Sequence, residues 1–160
     1  MTIQVGERLP DRQLQIMSEE GKQSVSIGEL FRGKRVVLFA VPGAFTPTCS
    51  DTHLSGFLVR ADEIRAKGVD LVACVAVNDV FVMDAWGRAH GVGDRILMLA
   101  DGNGEFTRAV GLELDATGFG MGRRSQRYAA IVEDGVVQAL HVESGPGVEV
   151  SGAESILGAL

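Results

Sequence analysis

Two apolar runs dominate the hydrophobic pattern of the chain: KRVVLFAV at residues 34–41 and VDLVACVAV at residues 69–77, both rich in β-branched residues and bounded by turn or polar signals. Runs that are continuous rather than alternating predict strands buried on both faces, as in a parallel sheet. Between them, residues 50–67 distribute Leu54, Phe57, Leu58 and Ile64 among charges, which predicts an amphipathic crossover helix in spite of Gly56 and completes a strand-helix-strand unit. NDVFVMDAWGRAHGV then offers Asn78 and Asp79 as caps and Gly91 as a stop, a second helix with Phe81 and Trp86 expected to face the core. RILMLAD reads as a third strand and GEFTRAVGL as a short helix. In QRYAAIVEDGVVQALHVE, Asp134-Gly135 separates two apolar stretches, the combination favoured in a two-residue hairpin turn. SGAESILGAL predicts a terminal helix capped by Ser151.

That order of elements predicts an α/β protein of thioredoxin-like architecture, with a mixed central sheet flanked by helices. The length, 160 residues, suits one domain over 1–160, and no repeat, low-complexity tract or linker divides it. A composition 46% hydrophobic and 22% charged provides a core without staples. The formal charge of -6 supplies no general basic field, so neither nucleic acid nor an anionic membrane is an expected partner. MTIQVGERLPDRQLQIM has no basic segment followed by an apolar core, and the expected address is the cytoplasm. In that compartment the two cysteines, Cys49 and Cys74, are expected as thiols.

Cys49 is the chemically interesting one. TPTC has the grammar of a helix start, with Thr46 as N-cap, Pro47 first, Thr48 second and Cys49 third. Unpaired main-chain N–H groups and the positive end of the helix dipole favour an anion there, so the thiol should ionise more readily than a free one. The competing reading is an inert cysteine packed beneath the loop.

PGAFTPTCS resembles the active-site signature of the peroxiredoxin-5-like (type II) peroxiredoxins, and VDLVACVAVNDVFVMDAWGRAHGV, MLADGNGEFTRAVGL, RRSQRYAAIVEDGVV and HVE are similar to that branch in the same order. The resemblance implies a thiol peroxidase acting on hydrogen peroxide and alkyl hydroperoxides, with Cys49 as nucleophile passing through a sulfenic acid and no cofactor. It further implies that Thr46 hydrogen-bonds thiolate and peroxide, that Pro42 shields the pocket, and that Arg127 stabilises thiolate and substrate. Gly43 and Cys49 would contribute main-chain N–H groups. Without the resemblance, Arg127 reads as a solvated arginine at a strand start, with Arg123 and Arg124 as competitors.

A sulfenic acid must be reduced by a second thiol. Cys74 lies in an expected buried strand and is read as packing, although it is the only internal candidate. Some relatives carry a resolving cysteine near the stretch that here reads GVEVSGAES, which has none. A one-cysteine cycle reduced by glutathione and glutaredoxin or by thioredoxin is therefore expected. The resemblance also implies a homodimer, with Phe45 against the partner subunit.

Other assignments fit less well. Cys49 and His53 are four apart and could share a helix face, but two ligands are too few for a metal, and His90 and His141 show no ligand spacing. The same pair suits a cysteine hydrolase poorly, because same-helix geometry is awkward for a base that a third group must also orient. A thiol-disulfide oxidoreductase usually needs a C-x-x-C pair, whose first place Thr46 occupies. GFGMGRR lacks phosphate-loop spacing. A redox-sensing binding module, in which oxidation of Cys49 alters a partner contact, is the rival from another class.

Overall fold

The computed structural model describes all 160 residues. The two apolar runs are adjacent strands, β3 (Arg35–Ala40) and β4 (Leu71–Ala76), paired in parallel, with β5 (Leu97–Ala100) parallel to β4. On the other side of β3 lie antiparallel β8 (Tyr128–Glu133) and β9 (Val136–Val142). A hairpin of β1 (Gln13–Ser18) and β2 (Gly21–Ser26) extends the far edge, giving the order β2-β1-β5-β4-β3-β8-β9. QLQIMSEEGKQSVS alternates too weakly to announce that hairpin; the chain reverses over Glu19-Glu20 and enters β2 at Gly21, where φ is +105°. A separate two-stranded ladder pairs β6 (Glu113–Asp115) with β7 (Arg123–Ser125).

Successive side chains of a strand point to opposite faces, and the apolar runs supply both. Val37, Phe39, Val72, Cys74 and Ala76 join one core with Phe57 and Ile64 of α2 (Ser55–Ala66), Met83 and Trp86 of α3 (Val80–Ala89), and Ile156 of α5 (Ala153–Ala159). Val36, Leu38, Ala73 and Val75 join a second with Phe31 of α1 (Ile27–Phe31) and Phe106 of α4 (Glu105–Val110). The result is the expected mixed sheet between helical layers, a thioredoxin-like fold.

Several local expectations are corrected. Asp79 caps α3, accepting from Val82 N at 2.9 Å, whereas Asn78 has another task described below. Val80, Met83 and Trp86 form the buried stripe of α3, so Phe81, one position around the helix, is 63% exposed instead of facing the core. Gly152, not Ser151, occupies the N-cap of α5; the Ser151 hydroxyl is turned toward Glu143. The Asp134-Gly135 hairpin is formed as expected, with φ values of +47° and +80°.

Candidate active site

The chain leaves β3 through a loop tied to β4 and the residues that follow it. Val41 N donates to Val75 O at 3.2 Å, and Ala44 N donates to Asn78 Oδ1 at 3.0 Å, so Asn78 fixes the loop rather than capping a helix. Gly43 is buried, and a Cβ there would meet Met121 Cε at 2.8 Å. Only glycine fits that approach unless the methionine moves. Phe45 adopts φ +66° and is 52% exposed, an uncommon backbone for an aromatic residue and an apolar face turned outward.

The helix begins where the sequence places it. Pro47 and Thr48 are helical, and Ser50 N donates to Thr46 O at 2.9 Å; the N–H groups of Thr48 and Cys49 precede that first closed turn. Cys49 therefore lies at the positive end of the helix, as expected. Thr46 stands at the N-cap position, yet its hydroxyl donates to Gly43 O at 2.8 Å. That contact uses the one hydroxyl proton and leaves only acceptor lone pairs for anything else, so Thr46 can accept from a peroxide O–H but cannot simultaneously donate to the Cys49 thiolate.

From Cys49 to Leu54 the helix is widened into a π turn before α2 resumes at Ser55. Ser55 Oγ donates to Ser50 O at 2.7 Å, filling part of the displaced ladder. Trp86 Nε1 donates to Ser50 Oγ at 2.9 Å, which ties this turn to α3. Single π turns inside α-helices are often placed at functional sites.

Arg127, just before β8, is 7% exposed and reaches across to the turn. Its Nη2 donates to Cys49 Sγ at 3.2 Å and its Nη1 to His53 Nδ1 at 3.1 Å. The solvated-arginine reading is thereby excluded. Arg124 is occupied elsewhere, donating from Nε to Met121 O and from Nη1 to Val77 O, and Arg123 is exposed. Arg127 Nε is buried and finds no hydrogen-bond partner in the protein.

His53 Nε2 lies 2.9 Å from Ser151 O. A carbonyl can only accept and a guanidinium can only donate, so the ring is neutral, with its proton on Nε2. Burial, above all, lowers the His53 pKa to about 4; the Ser151 carbonyl opposes this and the Arg127 charge reinforces it. With both nitrogens engaged, His53 has none left to serve as a base for Cys49. Cys49 and His53 do turn toward a common partner, and Arg127 bridges them. That bridging position for His53 had no signal in its spacing from Cys49, which suggested only metal or hydrolase chemistry.

Cys49 is 1% exposed, and Arg127, which contacts its sulfur, lines a cleft of about 480 Å³ together with Pro42, Phe119, Met121, Gln126 and Glu143; Cys49, Thr46 and Gly43 do not line it. Pro42 and Arg127 thus meet at one opening. Cys74 is buried in the same core layer as Cys49, and burial pushes its thiol pKa well up, which keeps it protonated. The two cysteines are not joined. No helix is long and apolar enough to cross a membrane.

The Redoxin family model matches residues 4–157. Peroxiredoxin-2E, chloroplastic, of Arabidopsis thaliana is 48% identical over 163 residues, spanning 99% of this chain and 70% of that protein. Peroxiredoxin-2C of Oryza sativa subsp. japonica is 48% identical over 159 residues, covering 99% and 98%. A crystal structure of reduced Prx3 in complex with H2O2 from Vibrio vulnificus superposes with a TM-score of 0.95 at 56% identity, over 99% of each chain. Given a family match over nearly the whole chain and relatives about half identical along almost all of it, the chain belongs to the peroxiredoxins, thiol peroxidases of the Redoxin family.

Proposed function

We propose that this peroxiredoxin is of the peroxiredoxin-5-like, type II kind and reduces hydrogen peroxide and small alkyl hydroperoxides with Cys49 in a one-cysteine cycle. The observation that carries this reading is the Arg127 guanidinium 3.2 Å from a sulfur in the first turn of a helix. A buried cation and main-chain N–H groups are the partners that an anionic nucleophile uses. The thiolate attacks one peroxide oxygen, the O–O bond breaks, and the departing alkoxide or hydroxide takes a proton from solvent, leaving Cys49 as sulfenic acid. Arg127, Thr46 and the N–H groups of Gly43 and Cys49 would hold the peroxide, with Arg127 countering charge on the departing oxygen. Pro42 shields the sulfur from bulk water.

A donor thiol then attacks the sulfenic sulfur and releases water as a mixed disulfide forms; a second donor thiol reduces that disulfide and restores Cys49. Cys74 is buried, and GVEVSGAES holds no cysteine, so the electrons come from outside the chain, from glutathione with glutaredoxin or from thioredoxin. The cytoplasm, where such donors are kept reduced, suits this cycle. We read residues 1–160 as one domain and the exposed Phe45 as part of a homodimer contact. No metal or organic cofactor enters the reaction.

The test is peroxide consumption by wild type and Cys49→Ser with each reductant system supplied separately. Sustained turnover with one system and none in Cys49→Ser supports the reading; a single stoichiometric oxidation with both would favour a sensor instead.

A further inference from the structure

The hydrogen bonds around Arg127 do not stop at His53. Ser151 presents its carbonyl to His53 Nε2, and Ser151 is itself gripped by Glu143. Glu143 Oε2 accepts from Glu149 N and Val150 N at 2.9 Å each, from Ser151 N at 2.8 Å and from Ser151 Oγ at 2.6 Å. One carboxylate oxygen thus gathers four donors. Glu143 also donates its own N–H to Arg127 O at 2.9 Å, so it holds the arginine's main chain as well as the far end of the chain of contacts on its side chain.

Apart from this carboxylate, the segment is held by two imidazole contacts, His141 Nδ1 to Val150 O and His53 Nε2 to Ser151 O, each 2.9 Å. Residues 144–152 read SGPGVEVSG and form no helix or strand, and most of them are exposed. Ordering such a segment costs roughly 1–2 kcal/mol of backbone entropy per residue. Charge-assisted hydrogen bonds from a carboxylate to main-chain N–H groups offset part of this cost. Those bonds keep the Glu143 pKa low despite the opposing effect of partial burial.

We infer that Glu143 and His53 are positioning residues for Arg127, acting in series: Glu143 fixes the Ser151 carbonyl, that carbonyl fixes the His53 ring with Nδ1 as an acceptor, and the ring aims the guanidinium at Cys49. The inference rests on the reading of Cys49 as the peroxide-reducing thiol. An imidazole that loses its carbonyl partner is free to place its proton on Nδ1, which would then face the Arg127 N–H as donor against donor. The low His53 pKa keeps the ring uncharged near neutral pH, as an acceptor must be.

The experiment compares the rate of sulfenic acid formation at Cys49, followed by stopped flow, in wild type, Glu143→Ala, Glu143→Gln, His53→Leu and the Glu143→Ala/His53→Leu double variant. Loss of an outer partner that orients a reacting group costs about 10–100-fold in comparable sites. Glu143→Ala and His53→Leu are expected to fall by about that factor, with Glu143→Gln between wild type and Glu143→Ala because it retains one acceptor oxygen. Two residues in series should not multiply, so the double variant should be no slower than His53→Leu alone. Nitrogen NMR of the His53 ring in the wild type should show a neutral ring protonated on Nε2, and in Glu143→Ala a mixture of tautomers.

A wild-type rate in Glu143→Ala, multiplying losses in the double variant, or a wild-type His53 ring that is charged or protonated on Nδ1 would each overturn the inference. If His53→Leu fails to fold, the ring NMR and the two Glu143 variants still decide it. A Cys49→Ser protein that keeps consuming peroxide would remove the underlying reading; a dead Cys49→Ser beside an unaffected Glu143→Ala would remove this inference alone.

Discussion

Arg127 Nη2 and Cys49 Sγ lie 3.2 Å apart at the junction of a π turn and the lead-in to β8. Nη1 of the same guanidinium is engaged by His53, so its orientation is set by two contacts with fixed geometry. Arg127→Ala should reduce peroxide reactivity by about 10²–10³-fold, the cost of losing one preorganised donor to a developing anion. Arg127→Lys should recover little, because an ammonium cannot reproduce the planar fork that serves sulfur and imidazole together. Stopped-flow peroxide kinetics with circular dichroism as the fold check measure both; full activity in Arg127→Ala would remove Arg127 from the site.

Cys74 packs on β4 in an apolar layer with its thiol protonated. Cys74→Ser is expected to remain largely active with an external reductant, while burying a hydroxyl there destabilises the protein by about 1–3 kcal/mol. Peroxide turnover and denaturant unfolding separate the two effects. A Cys49–Cys74 disulfide in the oxidised wild type, found by mass spectrometry together with an inactive Cys74→Ser, would defeat the external-reductant proposal.

The Trp86 Nε1 bond to Ser50 Oγ joins α3 to the turn that carries Cys49. Ser50→Ala leaves a buried indole N–H without its acceptor, and the expected loss is about 1–3 kcal/mol of stability. Thermal unfolding should show it, accompanied by a smaller change in peroxide rate, since Ser50 does not touch the sulfur or the guanidinium.

Acid should weaken the fold through His53. Its folded-state pKa, about 4, lies below the ordinary 6.5, so between those values the unfolded chain binds a proton that the native ring refuses. The stability this neutral ring contributes is complete above about pH 6.5 and is lost as pH falls toward about 4. The full difference is about 3 kcal/mol. Glu143, whose carboxyl is also held low, adds a loss of the same sign at the acid end, reduced by solvent screening. Unfolding free energies measured across that range in wild type and His53→Gln should converge at low pH; parallel curves would exclude His53 as the source.

Phe45 is the test of assembly. An aromatic ring 52% exposed on a loop with positive φ has little reason to stay in water, and Phe45→Asp should shift a dimer toward monomer in analytical ultracentrifugation. A wild type that sediments as a monomer at high concentration would rule out the proposed contact.

The sheet's central strands, the crossover helix and the Asp134-Gly135 turn were legible because each is written locally, in uninterrupted β-branched runs, apolar spacing and a turn dipeptide. The edge hairpin was not: its strands are largely polar and partly exposed, and they pair mainly with each other, with β1 alone joining the sheet at β5. Phe81 illustrates the same limit inside an element, since its type favours burial and the face it occupies does not.

By itself the sequence determined where a reactive thiol would be favoured, because Thr46, Pro47 and Cys49 specify a helix start and the exposed N–H groups that come with it. Resemblance added Pro42 and Arg127. Only the tertiary structure decided why that arginine stays aimed at the sulfur, through His53, the Ser151 carbonyl and the Glu143 carboxylate. Those contacts join segments far apart along the chain, and a hydrogen bond is set by distance and direction in space, neither of which is encoded in the spacing of residues along a sequence.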